Sequence, residues 1–279
     1  MTDRQRHSIL CPNCNKLISI DEPRCPYCGT GSPGSHFKNN FLIRGFGNGE
    51  HLIRTIITVN AAIYLLTLLL YPPTMGLANP FRAFSPSNDS LLLLGATGTI
   101  PIDHMNRWWT LLSANYLHGS LLHIVFNMIA FRHIGTLIYQ VYGTYRLMIL
   151  YTLAGVAGYA VSWLAGVRFT IGASAGVCGL IGAALYYGKS RGGTFGQAVY
   201  KQVSGWVLGI FLFGLMPGIN NWGHGGGIIA GIALGWLLAY RERRPERFFD
   251  KSFAAICMVA TALILAWAVT SGLYYRIAG

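Results

Sequence analysis

The chain is built around one run of small residues near its middle, Gly172-Ala173-Ser174-Ala175-Gly176-Val177-Cys178-Gly179-Leu180-Ile181-Gly182. Four of these eleven residues are glycine, which a helix tolerates poorly unless another backbone packs closely against it. A helix through this run therefore has a smooth face for a neighbouring helix. Its one hydroxyl, that of Ser174, stands near the start of that face.

A second glycine-rich stretch follows downstream, Asn220-Asn221-Trp222-Gly223-His224-Gly225-Gly226-Gly227-Ile228-Ile229-Ala230-Gly231. Glycine recurs at every fourth position from 223 to 235, so these glycines line one face of a helix. The two smooth faces can meet, which would bring Ser174 and His224 together near the start of each helix. A hydroxyl beside an imidazole in an apolar setting indicates a nucleophile and its base.

The composition is that of a membrane protein. Only 11% of the 279 residues are charged and 53% are hydrophobic, whereas soluble domains average about 25% charged residues. The mean hydropathy is +0.44. The formal net charge of +12 comes from Lys and Arg at the ends of apolar runs, which is typical of membrane topology. We therefore expect a polytopic membrane protein in a lipid bilayer and no nucleic-acid partner.

Seven apolar spans are predicted, each close to the roughly 20 residues that a bilayer requires. The connection after the first span, residues 72–107, is long and still apolar at 91–94. We expect this connection to lie in or against the membrane surface. The predicted spans are 52–71, 113–138, 145–166, 172–189, 202–217, 222–240 and 252–275.

Basic residues indicate the orientation, because cytoplasmic loops carry an excess of Lys and Arg. If every span crosses, two basic loops fall on one side, which places the N-terminus in the cytoplasm and the C-terminus outside. The first 40 residues contain no apolar core, so no secretory signal peptide is expected. We expect a multi-pass protein of a bacterial plasma membrane. The residues that define the inner side are Arg44, Arg54, Arg146, Lys189, Arg191, Lys201, Arg241, Arg243, Arg244, Arg247 and Lys251.

Residues 1–30 form a separate unit with two CxxC pairs, which lie ten residues apart. Four thiolates on two tight turns suit a structural zinc ion, and a segment this short needs a metal or disulfides to fold. Disulfides and rubredoxin-like iron are the alternatives. We expect this zinc ribbon to dock a cytoplasmic protein partner or to regulate, rather than to catalyse. The predicted zinc ligands are Cys11, Cys14, Cys25 and Cys28.

A third polar set lies in the predicted second span and consists of His118, His123 and Asn127. His123 and Asn127 are four residues apart, so they share a helix face and can both donate hydrogen bonds to one point. Together with the backbone N–H of Ser174, such donors would form an oxyanion hole.

Each of these residues alone has a simpler explanation. A serine among glycines often bonds to its own helix, and a membrane asparagine often only joins two helices. A buried histidine requires a partner but not a reaction. Their occurrence at a similar predicted depth favours a single functional site.

Taken together, the motifs resemble a known family. The Gly172-Ala173-Ser174 run, the His224 stretch with its glycines and the His118…His123…Asn127 pattern resemble, in order and spacing, the rhomboid family of intramembrane serine proteases. The resemblance covers residues 52–240. It implies an all-α polytopic membrane protein with a rhomboid-like six-helix core at 52–240. The zinc ribbon at 1–30, a flexible linker at 31–51, and a cytoplasmic loop with a seventh span at 241–279 are additions.

The resemblance implies a Ser–His dyad without a third carboxylate. Ser174 would be the nucleophile and His224 the general base, while His123 and Asn127 would stabilise the oxyanion and His118 would be structural. No Asp or Glu lies in any predicted span of the core, which independently supports the missing carboxylate. The implied substrates are transmembrane helices of other membrane proteins.

Three positions depart from the family pattern. Ala175 follows the serine where the family commonly has glycine, Thr110 takes the place of an arginine, and Tyr139 takes that of a glutamate. Two other classes of function stay open. A rhomboid-like protein could bind transmembrane clients without cutting them, and a channel or proton-coupled transporter could use membrane histidines. The lack of intramembrane carboxylates disfavours the transporter.

Overall fold

The computed structural model describes residues 8–11, 16–27, 31–34, 48–71, 84–216 and 218–278. The chain divides into two compact units at Leu52. In the first unit, two short strands pair antiparallel with Ile9 opposite Ile18. These strands are β1 (Ser8–Leu10) and β2 (Leu17–Ser19).

Two of the four predicted zinc ligands can be placed in this first unit. Cys11 and Cys25 are buried beside Ile18. Cys14 and Cys28 lie outside the described residues, as do residues 35–47 of the predicted linker. The zinc site therefore stays a prediction.

The remainder of the described chain is helical. A turn of π-helix at Ile100–His104 and a 3-10 turn at Ala114–Tyr116 separate the shorter elements. The helices are α1 (Gly49–Leu70), α2 (Asn88–Leu93), α3 (Thr110–Ser113), α4 (Leu121–Tyr142), α5 (Thr144–Leu164), α6 (Ser174–Arg191), α7 (Gly193–Phe213), α8 (Asn221–Leu238) and α9 (Phe248–Ala278).

The long helices make this an all-α polytopic membrane protein. In the part of the chain that the structure describes, α1, α4, α5 and α9 are long and apolar enough to cross a membrane by length and composition. Helices α6, α7 and α8 have 18, 21 and 18 residues but lie outside that set. Two of them, α6 and α8, are the glycine-rich helices, and glycine adds little hydropathy. Seven crossings remain a prediction.

Helix α6 lies at the centre of the second unit and packs against α4, α5, α7 and α8. Its contact with α8 runs backbone to backbone. A Cβ at Gly231 would lie 1.9 Å from the carbonyl oxygen of Gly179, and one at Gly182 would lie 2.1 Å from that of Ile228. Any larger residue at these positions would force the two helices apart. This explains why glycine recurs at every fourth position of α8.

The predicted second span begins later than expected. Residues 113–116 belong to α3 and the 3-10 turn, and α4 starts only at Leu121. The Oγ atom of Ser120 accepts a hydrogen bond from the backbone N–H of His123 and so caps the helix. The prediction of a span at 113–138 was therefore wrong at its start, and His118 lies before the helix rather than in it.

In the described part of the connection between α1 and α4, the apolar run at 91–94 packs on protein, and the expected place of the connection in or against the membrane surface stays a prediction. Leu91 and Leu94 are buried against Ile63, Leu70 and Leu117. Arg107 donates a hydrogen bond to the carbonyl of Leu92 at 3.1 Å. Thr110, at the position where the family has arginine, bonds the carbonyl of Arg107 and the hydroxyl of Thr97.

The predicted basic loop at 189–201 is only a tight turn. Helix α6 continues to Arg191 and α7 begins at Gly193, so Lys201 lies in α7 and the predicted fifth span at 202–217 starts nine residues early. Gly192 and Gly193 both have positive φ values, +65° and +64°. Glycine adopts this conformation without strain, which lets the chain reverse over so few residues.

The last helix is fastened to the core by a buried charge pair. Arg146, assigned above to the inner side, is 0% exposed and lies in the first turn of α5. Its Nε and Nη2 atoms donate to the two carboxylate oxygens of Asp250 in α9, both at 3.1 Å. Its remaining donors bond the carbonyls of Ala239, Arg244 and Pro245. The guanidinium therefore organises the connection between α8 and α9.

Candidate active site

Two side chains from neighbouring helices meet at the end of the glycine interface. Ser174 is the first residue of α6 and His224 is the fourth residue of α8. The Oγ atom of Ser174 and the Nε2 atom of His224 lie 2.9 Å apart. This is hydrogen-bond distance for a nucleophile and its base.

The segment before Ser174 is held by backbone contacts. Gly172 has a φ of +129°, its N–H donates to the carbonyl of Ala114, and its carbonyl accepts from the hydroxyl of Tyr159. Ser174 then opens α6, and the N–H groups of a first helical turn have no partner within their own helix. The backbone N–H of Ser174 is thus available to an oxyanion.

His123 faces the same space with a defined tautomer. Its Nδ1 atom accepts a hydrogen bond from the backbone N–H of Gly119 at 3.2 Å. Because a backbone N–H can only donate, Nδ1 carries no hydrogen, and in the neutral ring the hydrogen sits on Nε2. A Cβ at Gly172 would lie 2.8 Å from this Nε2 and 3.5 Å from Oγ of Ser174. Glycine at position 172 therefore keeps open the space between the imidazole donor and the hydroxyl.

Asn127 lies one turn further along α4. Its Nδ2 atom donates to the carbonyl of His123 at 2.9 Å, which uses one of the two amide hydrogens. The residue is 8% exposed and lines a cavity together with Ser174 and His224. The second amide hydrogen remains for a group bound in that cavity.

His118 packs on the edge of this set. It is 0% exposed, its ring centroid lies 5.1 Å from that of His123, and the two rings are inclined by 69°. Within the described residues neither ring nitrogen has a hydrogen-bond partner. The side chain packs against His123, and the structural role predicted for it stays a prediction.

In the described part of the chain, no carboxylate bonds the imidazole of His224. Its Nδ1 atom is buried, and among the described residues it has no hydrogen-bond partner. The position of the ring is therefore set by packing and by the start of α8.

Asn220, which the sequence interpretation did not single out, fixes the start of α8. Its Oδ1 atom accepts from the N–H of Gly223, while its Nδ2 atom donates to the hydroxyls of Ser162 at 2.8 Å and Thr170 at 2.9 Å. Its carbonyl accepts the backbone N–H of His224. Asparagine is a favoured N-cap residue, and this was the one available signal.

A cavity of about 330 Å³ opens beside the dyad. It lies between α4, α6 and α7 and is lined mainly by apolar groups, including Phe126, Val177 and Trp206. A larger cleft of about 1330 Å³ contains Ser174, His224, His123 and Asn127, and it extends along α4 as far as His133. The four residues predicted from the sequence thus line one space.

Comparison with known proteins finds a match over the region that contains this site. The family model of the rhomboid domain matches residues 105–241. RHOMBOID-like protein 5 of Arabidopsis thaliana is 34% identical over 168 residues, covering 57% of this chain and 52% of that protein. Rhomboid protease GluP of Bacillus subtilis is 28% identical over 180 residues, covering 64% and 35%. Rhomboid-like protease 3 of Toxoplasma gondii is 27% identical over 193 residues, covering 66% and 72%.

The matches are partial in length. The chain spans about half of the Arabidopsis relative and about a third of the Bacillus one. The matched region runs from before α3 to just beyond α8 and so contains all four residues of the candidate site. Over residues 105–241 the chain is therefore similar to the rhomboid domain and to these rhomboid proteins.

Proposed function

We propose that the chain is an intramembrane serine endopeptidase that cleaves transmembrane helices of other membrane proteins. The observation that carries this proposal is the 2.9 Å contact between Ser174 Oγ and His224 Nε2 beside an apolar cavity. A hydroxyl with a neutral imidazole base is the minimal apparatus for acyl transfer.

In the proposed reaction, the Ser174 oxygen attacks a peptide carbonyl while His224 Nε2 takes the hydroxyl proton. The carbonyl oxygen becomes an oxyanion, which the backbone N–H of Ser174, the Nε2–H of His123 and the free amide hydrogen of Asn127 would stabilise. His224 then gives its proton to the leaving amine, leaving an acyl-enzyme. Water attacks the ester with His224 as base again, which releases the acid and restores Ser174.

The substrate would enter between α4 and α7. Both helices pack on α6, and the cavity beside the dyad lies between them. Phe126 on α4 is 64% exposed at this seam. An intact substrate helix hides its carbonyls in its own hydrogen bonds, so a segment with small or helix-breaking residues would be cut first.

The experiment is cleavage of labelled transmembrane-helix substrates by purified protein, together with labelling by a fluorophosphonate. Ser174→Ala should abolish both, because it removes the atom that forms the acyl-enzyme, and His224→Ala should reduce cleavage nearly as far. Asn127→Ala should be milder, since loss of one oxyanion donor costs about a hundredfold to a thousandfold only where the others do not compensate. If the folded parent cuts no helix and takes no label, the binding of transmembrane clients without cleavage replaces the protease proposal.

A further inference from the structure

The outward face of α4 changes character halfway along the helix. Its first half exposes only apolar groups, at Leu121, Val125, Phe126 and Ile129. From Arg132 onward the exposed positions are polar, since Arg132, His133 and Gln140 are all exposed. Lipid tails solvate such groups poorly, so this half of the face favours a polar occupant over hydrocarbon.

Arg132 lies near the middle of a membrane-spanning segment. Helix α4 has 22 residues, which at 1.5 Å per residue is about 33 Å, close to the roughly 30 Å of a bilayer core. Arg132 is the twelfth of these residues. Among the described residues it has neither an ion-pair partner nor a side-chain hydrogen bond. Thr136 bonds only the backbone carbonyl of Arg132.

The charged position is continuous with the candidate active site. His133 lines the same cleft as Ser174 and His224, and it lies almost directly below Phe126 on the helix surface because seven residues make nearly two turns. Arg132 is nine residues beyond His123, or about 13.5 Å along the axis. A chain that entered the cleft and continued along α4 would therefore pass this cation.

A second copy of this chain does not supply the missing anion. No Asp or Glu occurs in residues 51–88 or 104–241. Asp250, in α9, is buried and paired with Arg146. Charge complementarity thus points to a carboxylate on a different membrane helix.

Building on the proposed function, we propose that Arg132, with His133 beside it, selects substrate helices that carry an Asp or Glu inside the membrane. The carboxylate would lie about four to nine residues from the scissile bond, in the part of the substrate that continues from the cleft along α4. The lower limit holds if that segment is extended and the upper limit if it is helical. Pairing with Arg132 offsets part of the cost of two separate charges in hydrocarbon.

The test uses the full chain in phosphatidylcholine vesicles and one model substrate helix with a guest residue at each position from four to nine. Asp and its neutral isostere Asn are compared at each position. We expect kcat/KM for Asp to exceed that for Asn by about threefold to thirtyfold at one or two positions, the range of interhelical polar contacts. The ratio of Asp to Asn cleavage should fall to about one in the Arg132→Leu variant. In the Arg132→Glu variant, a substrate with a Lys guest should be cleaved faster than one with an Asp guest. Arg276→Leu, which removes the same charge at the end of α9, should keep the parent ratio.

Each outcome is decisive. Equal cleavage of Asp and Asn guests at every position overturns the selection by Arg132 but leaves the protease proposal intact. If the Asp preference changes when anionic lipid is added but is the same in the parent and the Arg132 variants, Arg132 binds lipid headgroups and not the substrate. That result overturns the proposal. If no substrate is cut and Ser174 takes no fluorophosphonate label, the protease function falls, and the selectivity falls with it.

Discussion

His224 must hold its ring against Ser174 without an acid to orient it from any residue that the structure describes. The Nδ1 atom that a carboxylate would bind is buried and, in the described part of the chain, has no partner. The ring can therefore be placed only through the backbone of α8 and the groups around it. Asn220 is the strongest such group, because its side chain bonds α8 itself, Ser162 in α5 and Thr170 in the loop before α6.

We expect Asn220→Ala to lower kcat by about tenfold to a hundredfold, since small displacements of a catalytic group have effects of this size. KM should change little, because Asn220 would act through His224 and not through the bound helix. The loss of the N-cap should also cost about 1 kcal/mol of stability. Steady-state cleavage and thermal unfolding measure the two effects separately.

Asn221→Ala is the matched control for this residue. The Asn221 side chain bonds the carbonyl of Gly214, in the segment before α8, and makes no bond to α5. If kcat falls by the same factor in both variants, the loss is not specific to the contacts that Asn220 makes with Ser162 and Thr170. That result would contradict the positioning role of Asn220.

At the scale of elements, the active site depends on how closely α6 and α8 approach. Carbonyl oxygens of one helix occupy the space where the other would carry a Cβ, as at Gly227, where a Cβ would lie 2.3 Å from the carbonyl oxygen of Ala175. The interface begins beside the dyad and runs down both helices. A displacement near its start would change the distance between Ser174 and His224.

Gly231→Ala should therefore destabilise the protein by about 1–3 kcal/mol or more, the usual range for overpacking, because its Cβ meets backbone that cannot rotate away. Gly205→Ala in α7 is the control, since a Cβ there meets nothing within 4 Å and alanine favours the helix. Thermal unfolding in detergent compares the two. Equal melting temperatures would show that α6 and α8 separate without cost.

The zinc ribbon is a second element-scale proposal. We expect one zinc ion per chain, bound by Cys11, Cys14, Cys25 and Cys28, and we expect Cys25→Ser to lose it, because structural zinc holds such segments folded. Cys257→Ser is the control, as this residue is buried in α9. Metal analysis of purified protein measures the stoichiometry. Four freely titrating thiols in native, metal-free protein would contradict the ribbon.

The sequence was sufficient for features that follow from local periodicity. The fourfold glycine repeat predicted the meeting of two helix faces, and Ser174 and His224 do lie at the start of each. Contacts between distant segments could not be predicted in this way. Arg146 was interpreted only as a charge on the inner side, because its partner, Asp250, lies 104 residues away. The start of α4 was misplaced although Gly119 and the N-cap Ser120 marked it in the sequence, because the span prediction weighed the apolar residues and not the cap.

At the scale of the whole molecule, the seventh long helix is joined to the core through charge. The buried ion pair between Arg146 and Asp250 links the start of α5 to the start of α9, and Glu246 accepts the N–H groups of Tyr145 and Arg146 at the same end. A buried arginine without its acid is strongly destabilising. These contacts place the starts of α5 and α9 at one end of the bundle, so the orientation of α9 follows that of α5.

We propose that the N-terminus lies inside and the C-terminus outside, with seven crossings. The end of α8 is followed by five basic residues within 241–251, and cytoplasmic connections are enriched in such residues. A reporter fused after Gly193, where α6 has just ended, should then be cytoplasmic, whereas one fused at Gly279 should be external. Ser174, at the opposite end of α6 from Arg191, would face the outer side, where water for deacylation can reach it. Identical locations for the two reporters would remove either a crossing or the orientation, and with it the outward-facing site.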